Sequence, residues 1–422
     1  MDLENNIRTA KIVVVGAGFA GASLIRNLPS YLRNETLLVD RSSHFPFIPL
    51  AHEVAVGRVH PDSVSSPIAP LCKGRCDFLQ AEVQSVDTDK KTLQTTNGEI
   101  HYEYLILTAG SIATPPPKPL KNHLQTFWSL DDALTIRSEL NKAWTAATSR
   151  SGKPSPCALT VAIVGGGATG VELAGEVAAL FDYLRKRTTR RPSESPRIVL
   201  LEASDRLMGW LDPYFDTVAQ KTLSDLGVEI RLNSEVEKAT ETELTTDGEQ
   251  LTAGIRIWAA GVQAAPLIRE LPGEHEASGR AFVDKHLTIP DHPDIYVIGD
   301  GGAYNHKKLG VLPPTASVAV QQGPWVARDL QRRTRGASSR RGRPPFRYFD
   351  RGYVVSLGPE SAVADAVGLK LRGPAAQALY RSIFLYYMKS RRDRLLTGAD
   401  WAMERTLGRV GFGSAGEDSD SA

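Results

Sequence analysis

The chain has 422 residues, 41% hydrophobic and 23% charged, with 50 Lys and Arg against 48 Asp and Glu and a formal net charge of +2. That length holds two or three domains with ample core, and so even a charge balance points to no polyanionic partner such as nucleic acid. Three cysteines are too few for a disulfide framework, Met1–Ala10 holds no apolar signal core, and no run of 18 apolar residues occurs, so a reducing, cytoplasmic compartment and no transmembrane helix are expected.

The first predicted element is a strand over Lys11–Val15, a β-branched apolar run that suits a parallel strand buried on both faces. It ends in Gly16-Ala17-Gly18-Phe19-Ala20-Gly21, and the spacing of Ala22, Leu24, Ile25 and Leu28 predicts a helix that Pro29 and Ser30 stop. A second strand, Thr36–Asp40, closes a βαβ unit. Phe78 to Tyr102 reads as a hairpin region with its turn at Asn97-Gly98. The strand Tyr104–Thr108 runs into Ala109-Gly110, and Pro115–Pro119 reads as a domain boundary. The pattern then repeats. Leu159–Val164 is a strand, Gly165-Gly166-Gly167-Ala168-Thr169-Gly170 opens a helix, and Arg197–Glu202 is the next strand. Between them Arg185–Pro196, basic and with two prolines, reads as a solvated loop. Ile255–Ala259 leads into Ala260-Gly261-Val262, and Asp294–Asp300 is a further strand. Arg332–Arg347 reads as a mobile, solvated basic loop; its one aromatic, Phe346, gives nucleic acid no stacking platform. A short sheet and helices follow, and the acidic tail Gly411–Ala422 is expected to be disordered.

The fold class expected is α/β: two Rossmann-like dinucleotide-binding domains, the second inserted in the first, plus a C-terminal α/β region with amphipathic helices. The boundaries predicted are 1–120 and 276–345 for the first domain, 121–275 for the second, 346–410 for the C-terminal region and 411–422 for the tail.

A lone GxGxxG is a weak signal. Here each copy follows a buried strand, opens a helix and is answered by an acid at the end of the next strand, Asp40 and Glu202. Gly16 permits a tight turn, Gly18 lets the backbone approach a pyrophosphate, and Gly21 lets helix and strand pack closely. The phosphates then sit on amides at the positive helix end, with Phe19 and Ala20 in the same loop. Asp40, with Arg41 beside it, can take an adenosine ribose. Asp300, at the end of an apolar strand, places a carboxylate near a ribityl or phosphate group, the competing reading being a surface strand end. These features assign the first fold to FAD. In the second, Gly165, Gly167 and Gly170 repeat the arrangement. Glu202 there pairs with the ribose hydroxyls of NADH and repels the 2′-phosphate of NADPH, while Arg206 nearby keeps NADPH open as the less favoured cofactor. Val83, Gly110, Gly261 and Ala316 complete the cofactor-binding candidates, and no metal site is expected. Glu172 either complements its helix dipole from the first turn or tunes hydride or proton transfer.

Together these pieces resemble the type II, non-proton-pumping NADH:quinone oxidoreductases, FAD-dependent enzymes with a glutathione-reductase-like fold, over about Lys11–Arg409. Phe45-Pro46-Phe47-Ile48-Pro49-Leu50 is similar to the family's segment beside the flavin. Thr108-Ala109-Gly110 and Trp258-Ala259-Ala260-Gly261-Val262 look like its strand-end glycine motifs, and Gly170-Val171-Glu172-Leu173-Ala174-Gly175 is similar to the stretch with its proposed catalytic Glu. Pro314-Thr315-Ala316 resembles the start of the helix aimed at the flavin ring, which implies that its amides and dipole stabilise negative charge there. The family's quinone motif reads Ala-Gln-x-Ala-x-Gln. Here Gln321 matches its second glutamine and Ser317 stands at the first. Serine keeps a donor and an acceptor but is shorter, so a quinone other than ubiquinone or menaquinone is expected; Gln321 and Gln322 as plain solvated residues is the competing reading. The resemblance implies transfer of electrons from NADH through FAD to a membrane quinone, with Glu172, Ser317 and Gln321 as catalytic candidates. Two rivals stay open, a soluble NAD(P)H-dependent flavin reductase or diaphorase and a non-catalytic nucleotide-sensing flavoprotein.

Cys72 and Cys76 are not placed like the dithiol of related oxidoreductases, and no cysteine follows Cys157 as sulfide:quinone reductases require, so all three read as structural. Near the C-terminus, Ala376, Leu379, Tyr380, Ile383, Phe384 and Tyr387 recur at helical spacing, followed by Lys389, Arg391, Arg392 and Arg394. A second helix holds Leu395, Leu396, Trp401, Met403 and Leu407, with Arg405 and Arg409. Such faces suit an interfacial helix on anionic lipid, or else they pack on the enzyme's own core. The resemblance implies a peripheral protein on the cytoplasmic face of a membrane, whose C-terminal helices also form a homodimer.

Overall fold

The computed structural model describes residues 7–149, 157–192, 194–335, 343–388, 390–407 and 409. Lys389, the tail 411–422, residues 336–342 of the basic segment and the side chains of Arg405 and Leu407 lie outside the described residues. The chain divides into two compact units. Met1–Phe45, Pro67–Ile112 and Val262–Asp350 make the first; Pro46–Ser66, Ala113–Gly261 and Arg351–Ala422 make the second.

The first unit is α/β. Its sheet runs in the order Thr288–Ile289, His292–Val297, Gly98–Leu107, Arg8–Val15, Thr36–Asp40, Asp77–Gln80. All but the first of these pairings are parallel. Ile12, Val13 and Val14 are fully buried, as a central strand covered on both faces requires. Register sets Val15 level with Val39 and with Leu107. Gly16, Asp40 and Thr108 therefore leave the sheet at one carboxyl edge, where doubly wound sheets bind ligands. The expected hairpin region is more than a hairpin: Asp77–Gln80 joins the parallel sheet, and Val83–Asp87, Thr92–Thr95 and Gly98–Leu107 form a meander whose last turn is Asn97-Gly98. Helix Phe19–Asn27 packs on helix Ala316–Thr334, so closely at Gly323 that a Cβ there would lie 2.6 Å from the Ala20 carbonyl oxygen.

The second unit repeats the design with a parallel sheet in the order Gln125–Thr126, Ile255–Trp258, Thr160–Val164, Arg197–Leu201, Val228–Arg231. Helix Ala168–Arg187 takes in Arg185, Lys186 and Arg187, which the sequence reading assigned to a loop. Cations in the last turn complement the negative helix end, and Lys186 also pairs with Asp182 one turn back at 2.6 Å. A three-stranded sheet, Tyr353–Ser356, Ala362–Ala366 and Leu369–Gly373, precedes helices Pro374–Tyr387 and Arg391–Leu407.

Two further expectations are corrected here. The basic segment is not a solvated loop where it is described. Arg332 and Arg333 belong to helix Ala316–Thr334, and Arg343 is buried, its guanidinium paired with the fully buried Asp329 through Nη2 and, at 3.0 Å, Nε. Phe346 is buried too, its N–H donating to the Lys285 carbonyl at 2.8 Å. The C-terminal helices do not turn one apolar face outward: Ala376 and Tyr380 are fully buried and Trp401 nearly so. The inner face of Arg391–Leu407 is polar, because Asp393 accepts from the Ser66 hydroxyl, Thr397 donates to the Ser63 carbonyl and Asp400 accepts from the His60 N–H. Leu395 (75%), Tyr386 (71%) and Met403 (42%) are left exposed. Among the described residues, no helix is long and apolar enough to cross a membrane.

Candidate functional site

In the first unit, the Gly16 N–H donates to the Val39 carbonyl at 2.8 Å. Gly16 has φ +102°, and a Cβ there would lie 2.5 Å from the Thr108 carbonyl oxygen. A Cβ on Gly21 would run into the Gly16 carbonyl and the Thr108 hydroxyl. Gly18 is roomier, its nearest neighbour being the Thr108 carbonyl at 3.8 Å. Asp40 closes the loop: Oδ2 accepts from the Ala17 N–H at 2.7 Å and Oδ1 from the Ser42 N–H at 2.8 Å. Arg41 is exposed beyond it, and Val83 opens the strand Val83–Asp87.

The second unit builds the same cradle. The Gly165 N–H donates to the Leu201 carbonyl at 2.8 Å; Gly165 has φ +114°, and Gly170 packs against the Gly165 carbonyl. Nothing lies within 4 Å of a Cβ built on Gly167. Glu202 Oε2 accepts from the Gly166 N–H at 2.6 Å, and Oε1 from the Ser204 N–H at 2.8 Å. Gly261, φ +95°, follows the strand Ile255–Trp258. In neither cradle does a side chain cap the helix or an acid occupy its first turn. A positive helix end with no side-chain cap suits an anion, and a Cβ would find room beside Gly18 and Gly167. A carboxylate has about four acceptor sites, so Asp40 and Glu202 keep capacity for ribose hydroxyls beyond the amides they hold. The residues present fit a dinucleotide pyrophosphate in each unit.

The remaining candidates of the first unit gather near the Gly299 turn. Asp300 Oδ2 accepts from the Ser111 hydroxyl at 2.7 Å. Desolvation pushes the Asp300 carboxyl up, while Ser111 and then Arg280 pull it down, so it is no free surface strand end. Gly110 has φ +72°, and its carbonyl accepts from the Ala265 N–H. Ala316 starts helix Ala316–Thr334, capped by the Thr315 side chain. Gln322 is not solvated, and Gln321 is half-buried and bonded to backbone. Gln322 is fully buried, with Oε1 accepting from the Gly299 N–H at 2.7 Å. Gln321 donates to the Ser317 and Phe349 carbonyls and accepts from the Phe349 N–H, each at 3.0 Å. The Ser317 hydroxyl is buried and has no hydrogen-bond partner among the described residues. An orphaned hydroxyl in the first turn of this helix suits a ligand's polar group.

Glu172, in the second unit, is the fifth residue of helix Ala168–Arg187 and not in its first turn, so the dipole reading fails. Its Oε1 accepts from the Ser356 N–H at 3.2 Å, and its Oε2 lies 3.6 Å from His52 Nδ1. His52 Nε2 lies 3.0 Å from the Tyr380 hydroxyl. Burial pushes the Glu172 carboxyl up to about 8, against the pull of the Ser356 N–H and helped by repulsion from Glu53 and Glu176. Below it, burial pushes Glu176 up to about 7. The guanidinium of Arg58 has no exposure; it binds Glu176, reaches Glu404 at 3.0 Å and faces Glu53 at 3.9 Å. Trp401 Nε1 donates to Glu53 at 2.6 Å, and Arg409 pairs with Glu404 at 3.0 Å. Sequence reasoning missed all of this except Glu172. The only local hint was the one-turn spacing of Glu172 and Glu176, which a solvated helix face shows as often.

A stability effect follows. The folded value of Glu172 is about 8 against an ordinary 4.5, so the folded state binds this proton more tightly. The associated stability is fully present below about pH 4.5 and declines as pH rises to about 8. Glu172→Gln is expected to flatten that decline and to stabilise the protein at pH 8.5 by on the order of 3 kcal/mol. Thermal denaturation of both proteins from pH 5 to 8.5 checks it; parallel pH curves would contradict the burial of this acid.

Residues 10–323 match the family described as pyridine nucleotide-disulphide oxidoreductase. The chain is 28% identical over 418 residues to the type II NADH:quinone oxidoreductase Ndh of Mycobacterium tuberculosis, covering 94% of this chain and 88% of that protein. It is 27% identical over 416 residues to the demethylphylloquinone reductase NdbB of Synechocystis, covering 94% and 96%. Among solved structures it is similar to NDH2 from Plasmodium falciparum in complex with NADH, with a TM-score of 0.83 at 18% identity over 96% of this chain and 100% of that one, a likeness of fold.

Proposed function

The chain belongs to the pyridine nucleotide-disulphide oxidoreductase family, and from that premise we propose that it is a type II NADH:quinone oxidoreductase, an enzyme carrying electrons from NADH through FAD to a quinone without pumping protons. The observation that carries this reading is the doubled cradle, two glycine loops each tied to an acidic strand end. Bound FAD would supply the redox chemistry, accepting a hydride and giving up two electrons. The protein supplies binding, orientation and protons.

Gly16, Gly18 and Gly21 hold the FAD pyrophosphate, with Asp40 on the ribose and Asp300 near the ribityl chain; residues 1–120 and 276–345 form that domain. Gly165, Gly167 and Gly170 hold NADH within 121–275. The first turn of helix Ala316–Thr334 brings its amides and the Ser317 hydroxyl, unpartnered among the described residues, to the acceptor side. Gln321 is committed to the backbone of Phe349, so Ser317 is the polar group left for a quinone oxygen. Serine reaches less far than glutamine, which favours an acceptor other than ubiquinone or menaquinone; the activity named for the Synechocystis relative, demethylphylloquinone reduction, supports a naphthoquinone ring without the methyl group. Forming a quinol takes two electrons and two protons: one proton travels with the hydride from NADH and the other comes from solution, and Glu172, largely protonated at neutral pH, is the group that would deliver it. Leu395, Tyr386 and Met403, beside Arg391, Arg392 and Arg394, rest on anionic lipid at the cytoplasmic face, and the same C-terminal region pairs two copies of the chain.

Glu202 makes the cofactor choice testable. The wild-type kcat/KM is expected to favour NADH over NADPH by about tenfold or more, a preference of roughly 1.4 kcal/mol or above. Glu202→Gln keeps an acceptor for the Gly166 N–H, removes the charge, and is expected to narrow that ratio. Anaerobic reduction of the flavin by each nucleotide, followed by reoxidation with a panel of quinones, measures both sides. A preference for NADPH, or no reoxidation by any quinone, would overturn the proposal.

A further inference from the structure

We propose that His52, fixed in one tautomer by Tyr380, is a positioning residue for Glu172, presenting an N–H to the carboxylate that remains once Glu172 has given up its proton. The inference rests on the proton-donor role proposed for Glu172 above.

Three helices and a strand bring the parts together: His52 from Ala51–Ala55, Glu172 from Ala168–Arg187, Tyr380 from Pro374–Tyr387, and the Ser356 N–H from Tyr353–Ser356. His52 and Tyr380 are both buried. Desolvation, with the nearby Arg58 charge, drops the imidazole to about 3, so it stays neutral, with one N–H and one lone pair. The Tyr380 phenol is buried and stays un-ionised, its pKa pushed well above the ordinary range by burial and then by Glu53. Its hydroxyl meets His52 Nε2 at 3.0 Å. A buried O–H left undonated is costly, and an unprotonated ring nitrogen is the acceptor in front of it. Tyr380 therefore donates to Nε2, and the imidazole proton sits on Nδ1.

That proton points along the 3.6 Å gap to Glu172 Oε2. The separation is too long for a hydrogen bond while Glu172 is neutral and closes by a small side-chain movement once the carboxylate is charged. Glu172 needs this help, because its charged surroundings are unfriendly. Glu176 from its own helix and Glu53 from the Ala51–Ala55 helix repel it, strand Tyr353–Ser356 offers one backbone N–H, and helix Pro374–Tyr387 offers the neutral Tyr380. Arg58 is committed to Glu176, Glu404 and Glu53. Two N–H donors, from Ser356 to Oε1 and from His52 to Oε2, are what this site provides for the anion in place of a salt bridge.

The test is the pH dependence of flavin reoxidation by a quinone in the full-length holoenzyme, with flavin reduction by NADH recorded separately as the reference step. His52→Leu removes the N–H, so the pH midpoint of reoxidation is expected to move up by about one unit, with reoxidation at pH 7 slowed about tenfold. Tyr380→Phe, nearly isosteric, releases the tautomer and is expected to move the midpoint the same way by less. His52→Asn restores an N–H close to Nδ1 and is expected to bring the midpoint back. A midpoint lost in Glu172→Gln but unmoved in both His52→Leu and Tyr380→Phe overturns the positioning role alone. A midpoint that persists in Glu172→Gln overturns the donor role beneath it. If His52→Leu does not fold, Tyr380→Phe decides.

Discussion

Gly21→Val is expected to be purified almost free of flavin and to lose about 3 kcal/mol of folding stability. The Cβ would have to occupy the place of the Gly16 carbonyl oxygen and come within 2.7 Å of the Thr108 hydroxyl. Neither neighbour can give way. Gly16 is tied to Val39 by its N–H, and its carbonyl accepts from Thr108 Oγ1 at 2.5 Å, while Thr108 is itself bonded to the Val15 carbonyl. To make room, helix Phe19–Asn27 must lift from the strand end, which takes the anion-binding turn with it. Gly18→Ala separates cradle from fold. Its methyl carbon has 3.8 Å to the nearest protein atom, so the variant is expected to fold normally. It points into the space a pyrophosphate would fill, and flavin affinity is expected to fall at least tenfold, about 1.4 kcal/mol. The ratio of flavin to protein absorbance and a thermal melt of each variant measure the two effects. Full flavin content in Gly21→Val would remove this loop from the site.

The contrast between loop and core explains what the sequence discloses. Both cradles are local objects. A parallel strand buried on two faces writes an uninterrupted apolar run, its turn needs glycine where the backbone has φ +102° or +114°, and the acid that closes it ends the very next strand. Lys11–Val15, Thr36–Asp40, Gly16 to Gly21 and Glu202 were legible for that reason. Arg343 and the inner face of Arg391–Leu407 were not, because charged and polar residues are mostly exposed and nothing nearby in the chain marks Asp329, Ser63 or Ser66 as their partners. The same holds for the acid network. His52, Arg58, Glu176, Tyr380 and Glu404 come from four separate stretches, and their proximity is a property of packing alone. Even Gln321, which matches a motif in type, spends hydrogen bonds on Phe349 and Ser317, which no pattern of residue types could convey.

Arg58→Leu is expected to destabilise the protein by about 4 kcal/mol at pH 8 and by much less at pH 5. Arg58 is among the largest fully buried side chains, and its guanidinium is the central cation for Glu53, Glu176 and Glu404. Removing one partner of a buried pair leaves a charge with neither water nor counterion, which outweighs the apolar contact a leucine adds. The pH dependence has a definite sign. Already in the wild type, burial outweighs Arg58 and raises Glu176 from 4.5 to about 7; without Arg58 the value goes higher still. The folded variant thus holds protons that the unfolded chain has released, so its stability is present at low pH and is lost as pH rises through and beyond 7. Glu176→Gln added to Arg58→Leu removes one stranded carboxylate and is expected to recover part of the loss at pH 8 and little at pH 5. Urea unfolding of the three proteins at both pH values provides the comparison. A loss of equal size at pH 5 and pH 8 would place the cost in packing and not in charge. A pH-dependent loss would show that Arg58 neutralises the buried acids around it; with that cation gone, the uncompensated charge of Glu53 and Glu176 would repel a Glu172 carboxylate more strongly and hold its proton to still higher pH.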